Sequence, residues 1–104
     1  MSQDIEKQMV ETFLDEALEN LALWETTCLS FEEMDRETSF NQLFRMAHNL
    51  KGSSLSVGLK EFGSSIHKVE ELMTLLREKK MNFTPAILDL FFGIHSFATE
   101  WILI

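Results

Sequence analysis

The sequence predicts an all-α fold, an antiparallel four-helix bundle in a single domain covering residues 1–104. Three observations carry this reading. Apolar residues recur at helical spacing along nearly the whole chain. Alternating strand patterns are absent. Turn formers are scarce, with four glycines and one proline in 104 residues. The length suits one domain, and a 45% hydrophobic share with nine Phe and two Trp supplies large core pieces.

The first helix is expected over Asp4 to Cys28, with Met9, Val10, Phe13, Leu14, Ala17, Leu21 and Trp24 on one face and Glu11, Asp15 and Glu19 on another. Ser30 to Glu37 reads as a polar, acidic connection. The second helix is expected over Ser39 to Val57, capped by Thr38 or Ser39 and stopped at Gly58. Its inward stripe is Phe40, Leu43, Phe44, Ala47 and Leu50. The third runs from Leu59 to Lys80, with Phe62, Ile66, Val69, Met73 and Leu76 inward and a basic end suited to the helix dipole. Thr84-Pro85 is a strong start signal for the fourth, which carries Ile87, Leu88, Leu90, Phe91, Ile94, Phe97, Ala98 and Trp101. Short links between amphipathic helices favour antiparallel neighbours.

A formal net charge of −8 argues against nucleic acid, whose phosphates need Lys and Arg, and against an anionic membrane surface. It suits a partner with a basic face. The one cysteine, Cys28, allows no internal disulfide and no Cys-based zinc site, and fits a reducing compartment. The start shows no secretory pattern, and uninterrupted apolar runs are only a few residues, so no membrane span is expected. The expected location is cytoplasmic. The apolar ending Trp101-Ile102-Leu103-Ile104 suggests a piece cut from a longer chain.

The stretch with chemical content is Ala47-His48-Asn49-Leu50-Lys51-Gly52-Ser53-Ser54. A glycine inside a helix costs roughly 1 kcal/mol against Ala, and two serines follow it, so small side chains are favoured here for another reason. Close approach of a partner or a second backbone would be one. His48, Lys51 and Gly52 share a helix face. A neutral imidazole offers one lone-pair nitrogen as a nucleophile, while the other carries the proton and needs an acceptor. Lys51 lies about one turn away, where a group added to His48 would sit. On the third helix His67 and Glu70 are three residues apart. If the second and third helices pack antiparallel, Glu70 can accept the His48 proton, and His67 can join the same network.

These residues resemble a known signature. Ala47 to Ser54 followed by Gly58 is similar to the histidine phosphotransfer (HPt) motif, and the chain most resembles the N-terminal phosphotransfer domains of CheA-type chemotaxis kinases. Phe13-Leu14-Asp15-Glu16-Ala17, Leu43 to His48, the His67/Glu70/Leu72 set and Thr84-Pro85 through Phe91 carry the likeness along nearly the whole chain. The resemblance implies an HPt-like bundle with His48 phosphorylated and Lys51, His67 and Glu70 supporting it. Gly52 and Ser53 lie where a partner approaches. It implies a phosphoryl carrier, with phosphoryl arriving from ATP on a histidine kinase catalytic domain and leaving to an aspartate of a CheY-like or CheB-like response regulator receiver domain. The chain has no Walker loop or Gly-rich nucleotide signature, so no cofactor is expected here, and ATP and magnesium are expected on partner domains. The parent is expected to be a kinase and the isolated domain a monomer.

Two readings compete from the residues alone. His48, His67 and Glu70 supply a metal-ligand set, although Lys51 would sit beside the metal as a like charge. A purely structural adaptor bundle needs none of these side chains. Within the phosphotransfer class, a domain of a hybrid kinase or a free-standing relay protein is the variant.

Overall fold

The structure, a computed structural model, describes residues 2–103. Met1 and Ile104, the outer ends of the terminal segments discussed above, lie outside the described residues. Four helices follow one another: α1 (Ser2–Leu29), α2 (Arg36–Ser56), α3 (Lys60–Arg77) and α4 (Pro85–Leu103). They form the expected antiparallel bundle, with no strand among the described residues.

The core is built at helical spacing. Phe13, Ala17, Leu21, Trp24 and Cys28 come from α1, and Phe40, Leu43, Ala47 and Leu50 from α2. Phe62, Ile66, Met73 and Leu76 come from α3, and Phe91 and Ala98 from α4. Trp24 Nε1 donates to the Phe91 carbonyl at 2.9 Å, so the buried indole ties α1 to α4 without leaving its N–H unpaired. Burial of the Cys28 thiol, with the nearby Glu25 charge, pushes it up to about 12, so it behaves as a small apolar core residue.

Met9 and Val10 depart from the expected inward stripe and are exposed. Helix α1 has 28 residues against 21, 18 and 19 in its neighbours. At about 1.5 Å per residue its first turns therefore lack a full set of partners.

Ser30–Glu37 is not simply a polar link. Phe31 turns inward and stacks on Phe83 at 4.8 Å and tilts against Phe40 at 5.7 Å between ring centroids. Helix α2 starts earlier than its apolar stripe suggests. Its N-cap is Asp35, whose Oδ2 accepts from the Thr38 backbone N–H at 3.1 Å. Neither Thr38 nor Ser39 caps it. Ser39 is buried inside the first turns, and its hydroxyl has no partner among the described residues. Asp35→Ala is expected to cost about 1 kcal/mol, read from the denaturant midpoint.

Gly58, at φ +84°, ends α2. Its N–H bonds the Leu55 carbonyl while Leu59 N–H reaches Ser54, the paired arrangement that closes a helix through a left-handed residue. Helix α3 ends three residues before Lys80 in the same way, with Lys79 N–H on Leu76 and Lys80 N–H on Leu75. Here Lys79 holds the left-handed position, at φ +60°. Lys79→Gly is expected to stabilise the chain by about 0.5–1 kcal/mol, because a side chain there is disfavoured; a raised thermal midpoint would show it.

Helix α4 is long and apolar enough to cross a membrane by length and composition. Short uninterrupted apolar runs hide this in the sequence, since Asp89, His95 and Glu100 break them. In the bundle α4 contributes Phe91 and Ala98 to the core, and Trp101 stacks on buried Phe62 at 4.8 Å.

Candidate functional site

Helices α2 and α3 are the most intimate pair. At Gly63 a β-carbon would meet Leu55 Cδ2 at 2.7 Å, so this glycine permits the approach of α3 to α2. The approach places Glu70 opposite His48 and Lys51. His48 Nδ1 and Glu70 Oε2 are 2.6 Å apart, and Lys51 Nζ donates to Glu70 Oε1 at 2.9 Å. One carboxylate thus takes a donor on each oxygen.

The three side chains differ in exposure in a way that matters. Glu70 is 12% exposed and Lys51 21%, while His48 is 60% exposed. The orienting charges sit inward and the imidazole faces solvent. Burial alone would raise the Glu70 carboxyl. Hydrogen bonds from Lys51 and His48, together with their charges, more than offset it and hold the group below its ordinary value. An ionised Glu70 can only accept, so in the neutral ring Nδ1 is the protonated nitrogen and Nε2 carries the free lone pair.

The ring has further neighbours. Phe44, one turn earlier on α2, lies nearly parallel to it at 15° with centroids 6.1 Å apart. A cleft beside His48 is lined by Glu16, Glu19, Asn20 and Leu23 of α1 and by Asn49 and Gly52. Glu19, expected on an outward face, therefore lies near the site. A β-carbon on Gly52 would meet nothing within 4 Å. Gly52 is exposed and is not needed for helix packing; it leaves open space next to His48. Ser53 turns its hydroxyl back onto the Asn49 and Leu50 carbonyls.

His67 is not brought into this group. It is half exposed, and its Nε2 lies 3.6 Å from Glu71 Oε1, the carboxylate four residues on in the same helix. Both Glu70 oxygens are already engaged by His48 and Lys51, and Glu71, also a neighbour on the helix surface, lies nearer the His67 ring nitrogen. The metal reading needs His67 beside Glu70, and among the described residues no group of three His, Cys, Asp or Glu side chains converges to hold an ion.

The Hpt domain family model matches residues 8–101, which takes in most of α1, all of α2 and α3, and α4 up to Trp101. The chain belongs to the Hpt domain family. As an Hpt domain it is a phosphotransfer module of two-component signalling, a phosphoryl carrier and not a catalyst. Its curated relatives include the chemotaxis protein CheA of Salmonella typhimurium, 36% identical over 93 residues, and that of Klebsiella aerogenes, 33% identical over 92; each alignment covers 88% of this chain and 14% of the relative. The chemotaxis protein CheA of Borreliella burgdorferi is 30% identical over 85 residues, 81% of this chain and 10% of the relative. The Hpt domain thus spans only a small part of the curated relatives it matches. No solved structure matches it.

Proposed function

We propose that His48 is the phosphoacceptor of this Hpt domain and that the domain carries phosphoryl groups in CheA-like chemotaxis signalling. The observation that carries the reading is the one-sided engagement of the ring. Nδ1–H is committed to Glu70, and Nε2 has no hydrogen-bond partner among the described residues on a side chain 60% exposed. The Nε2 lone pair attacks the γ-phosphorus of ATP held by a histidine kinase catalytic domain. A P–N bond forms as the bond to the bridging oxygen breaks, and ADP leaves. Glu70 stabilises the ring as it gains positive character. In the second step an aspartate oxygen of a receiver domain attacks the phosphorus, and the P–N electron pair returns to Nε2.

Phosphoryl transfer is mostly alignment and charge neutralisation. Within this chain Lys51 is the cation near the acceptor, and its ammonium lies 2.9 Å from Glu70. In this reading magnesium and the remaining positive charge come from the partners. His67, paired with Glu71, stands outside the hydrogen-bonded set and contributes at most a secondary role. The setting is cytoplasmic, the isolated domain a monomer, and the parent chain a sensor-type histidine kinase.

The test is incorporation of acid-labile phosphate from labelled ATP with a CheA-type catalytic fragment added in trans, followed by addition of a CheY-like receiver. Label that enters the chain and then chases to the receiver supports the carrier role. A chain that stays unlabelled with its own kinase would overturn it.

A further inference from the structure

We propose that Phe44 and Arg77 form a positioning stack that fixes the plane of the His48 ring, a role that rests on reading His48 as the phosphoacceptor. The hydrogen bond from Nδ1 to Glu70 fixes one edge of the imidazole. A single hydrogen bond leaves the ring free to tilt about the N–H···O axis, and for a side chain this exposed no core packing stops the tilt. In-line attack by Nε2 needs that tilt controlled, because misplacement by about 1 Å is enough to cost orders of magnitude in rate.

Phe44 supplies the missing restraint. It sits at i−4 from His48, where helical side chains meet, and its ring is near parallel to the imidazole, at 15° with centroids 6.1 Å apart. Phe44 itself is only partly buried, packed against the core edge and not locked within it. What holds its outer part is Arg77, in the last turn of α3, whose guanidinium carbon lies 4.1 Å from the Phe44 ring centroid. That distance is well within cation–π range. Arg77 follows Glu70 by seven residues, two helical turns, and so falls on the same face of α3. Helix α3 therefore acts on His48 twice, directly through Glu70 and indirectly through Arg77 and Phe44. Arg77 makes no ion pair among the described residues, so its cation is free for the aromatic face.

The test combines phosphorylation kinetics, with this chain as the varied substrate of the kinase fragment, and NMR of the His48 ring protons. Phe44→Leu is expected to lower kcat about tenfold with KM little changed, and Phe44→Tyr to restore it. Arg77→Gln, a change near the surface that leaves the fold intact, is expected to lower kcat about threefold and to shift the His48 ring resonances. Arg77→Lys keeps the cation and recovers most of both effects. Wild-type kcat in Phe44→Leu, an effect confined to KM, or unmoved His48 resonances in Arg77→Gln would overturn the stack. Failure of the wild-type chain to take label would instead defeat the phosphoacceptor reading, and the resonances would still report whether the stack exists.

Discussion

His48→Gln is expected to abolish acid-labile phosphate incorporation completely while leaving the four-helix bundle folded. Glutamine has no ring nitrogen with a free lone pair, so no phosphoramidate can form on it. The side chain it replaces is 60% exposed and contributes nothing to the buried core. The structural cost is then limited to the hydrogen bond to Glu70, about 1 kcal/mol, and the amide recovers part of that. Loss of labelling with unchanged helical content and a thermal midpoint within a few degrees is the expected pair of results. An adaptor bundle predicts the opposite pattern, with every activity of the domain surviving the substitution.

Glu70→Gln carries the second large effect. Both neighbours of this side chain, His48 Nδ1–H and Lys51 Nζ, are donors. A carboxylate accepts from both, whereas a neutral amide accepts through one oxygen and turns an NH₂ against the other neighbour. Either choice disturbs the set: the imidazole loses its acceptor or Lys51 loses its partner. A fall in phosphorylation rate of roughly 10- to 100-fold is expected. Stability follows with a definite sign. The Glu70 carboxyl is held below its ordinary value in the folded chain, so its contribution is fully present above the unfolded carboxylate range, near pH 4.3. It is lost as pH falls through the lowered folded value. At neutral pH the wild type should exceed Glu70→Gln by about 1–2 kcal/mol, and the margin should close on acidification. Denaturant melts of both proteins from pH 7 downward measure it, and a margin that grew in acid would contradict the ionised carboxylate.

The site was more readable in the sequence than the helix boundaries around it. His48, Lys51 and Glu70 stand out because their spacing puts two of them on one face and the third on the seam of the next helix. Antiparallel packing of α2 and α3 then suffices to bring them together. His67 misleads for a local reason: a helical residue has a competing partner four positions on, and Glu71 occupies it. The start of α2 was hidden because Asp35 is one acid among several in that segment, and only the bond from Thr38 N–H marks it as the cap. Phe31 was hidden because one apolar residue between polar ones has no period. Phe44 reads equally well as core, and its contact with Arg77 depends on the exact register of α3 against α2, which no spacing rule supplies. The same limit applies to Glu16, Glu19 and the cleft they line with His48. Gly63 marks where the helices approach, but a glycine's reason is visible only once its neighbour Leu55 is in place.

The central claim, that Glu70 holds Nδ1 and leaves Nε2 as the phosphorylated atom, is tested most directly by NMR of the phosphorylated chain with nitrogen-labelled histidine. Phosphorus–nitrogen coupling assigned to His48 Nε2, with Nδ1 still protonated and bonded to Glu70, is the expected result. Coupling to Nδ1, or phosphate on any side chain other than His48, would contradict it.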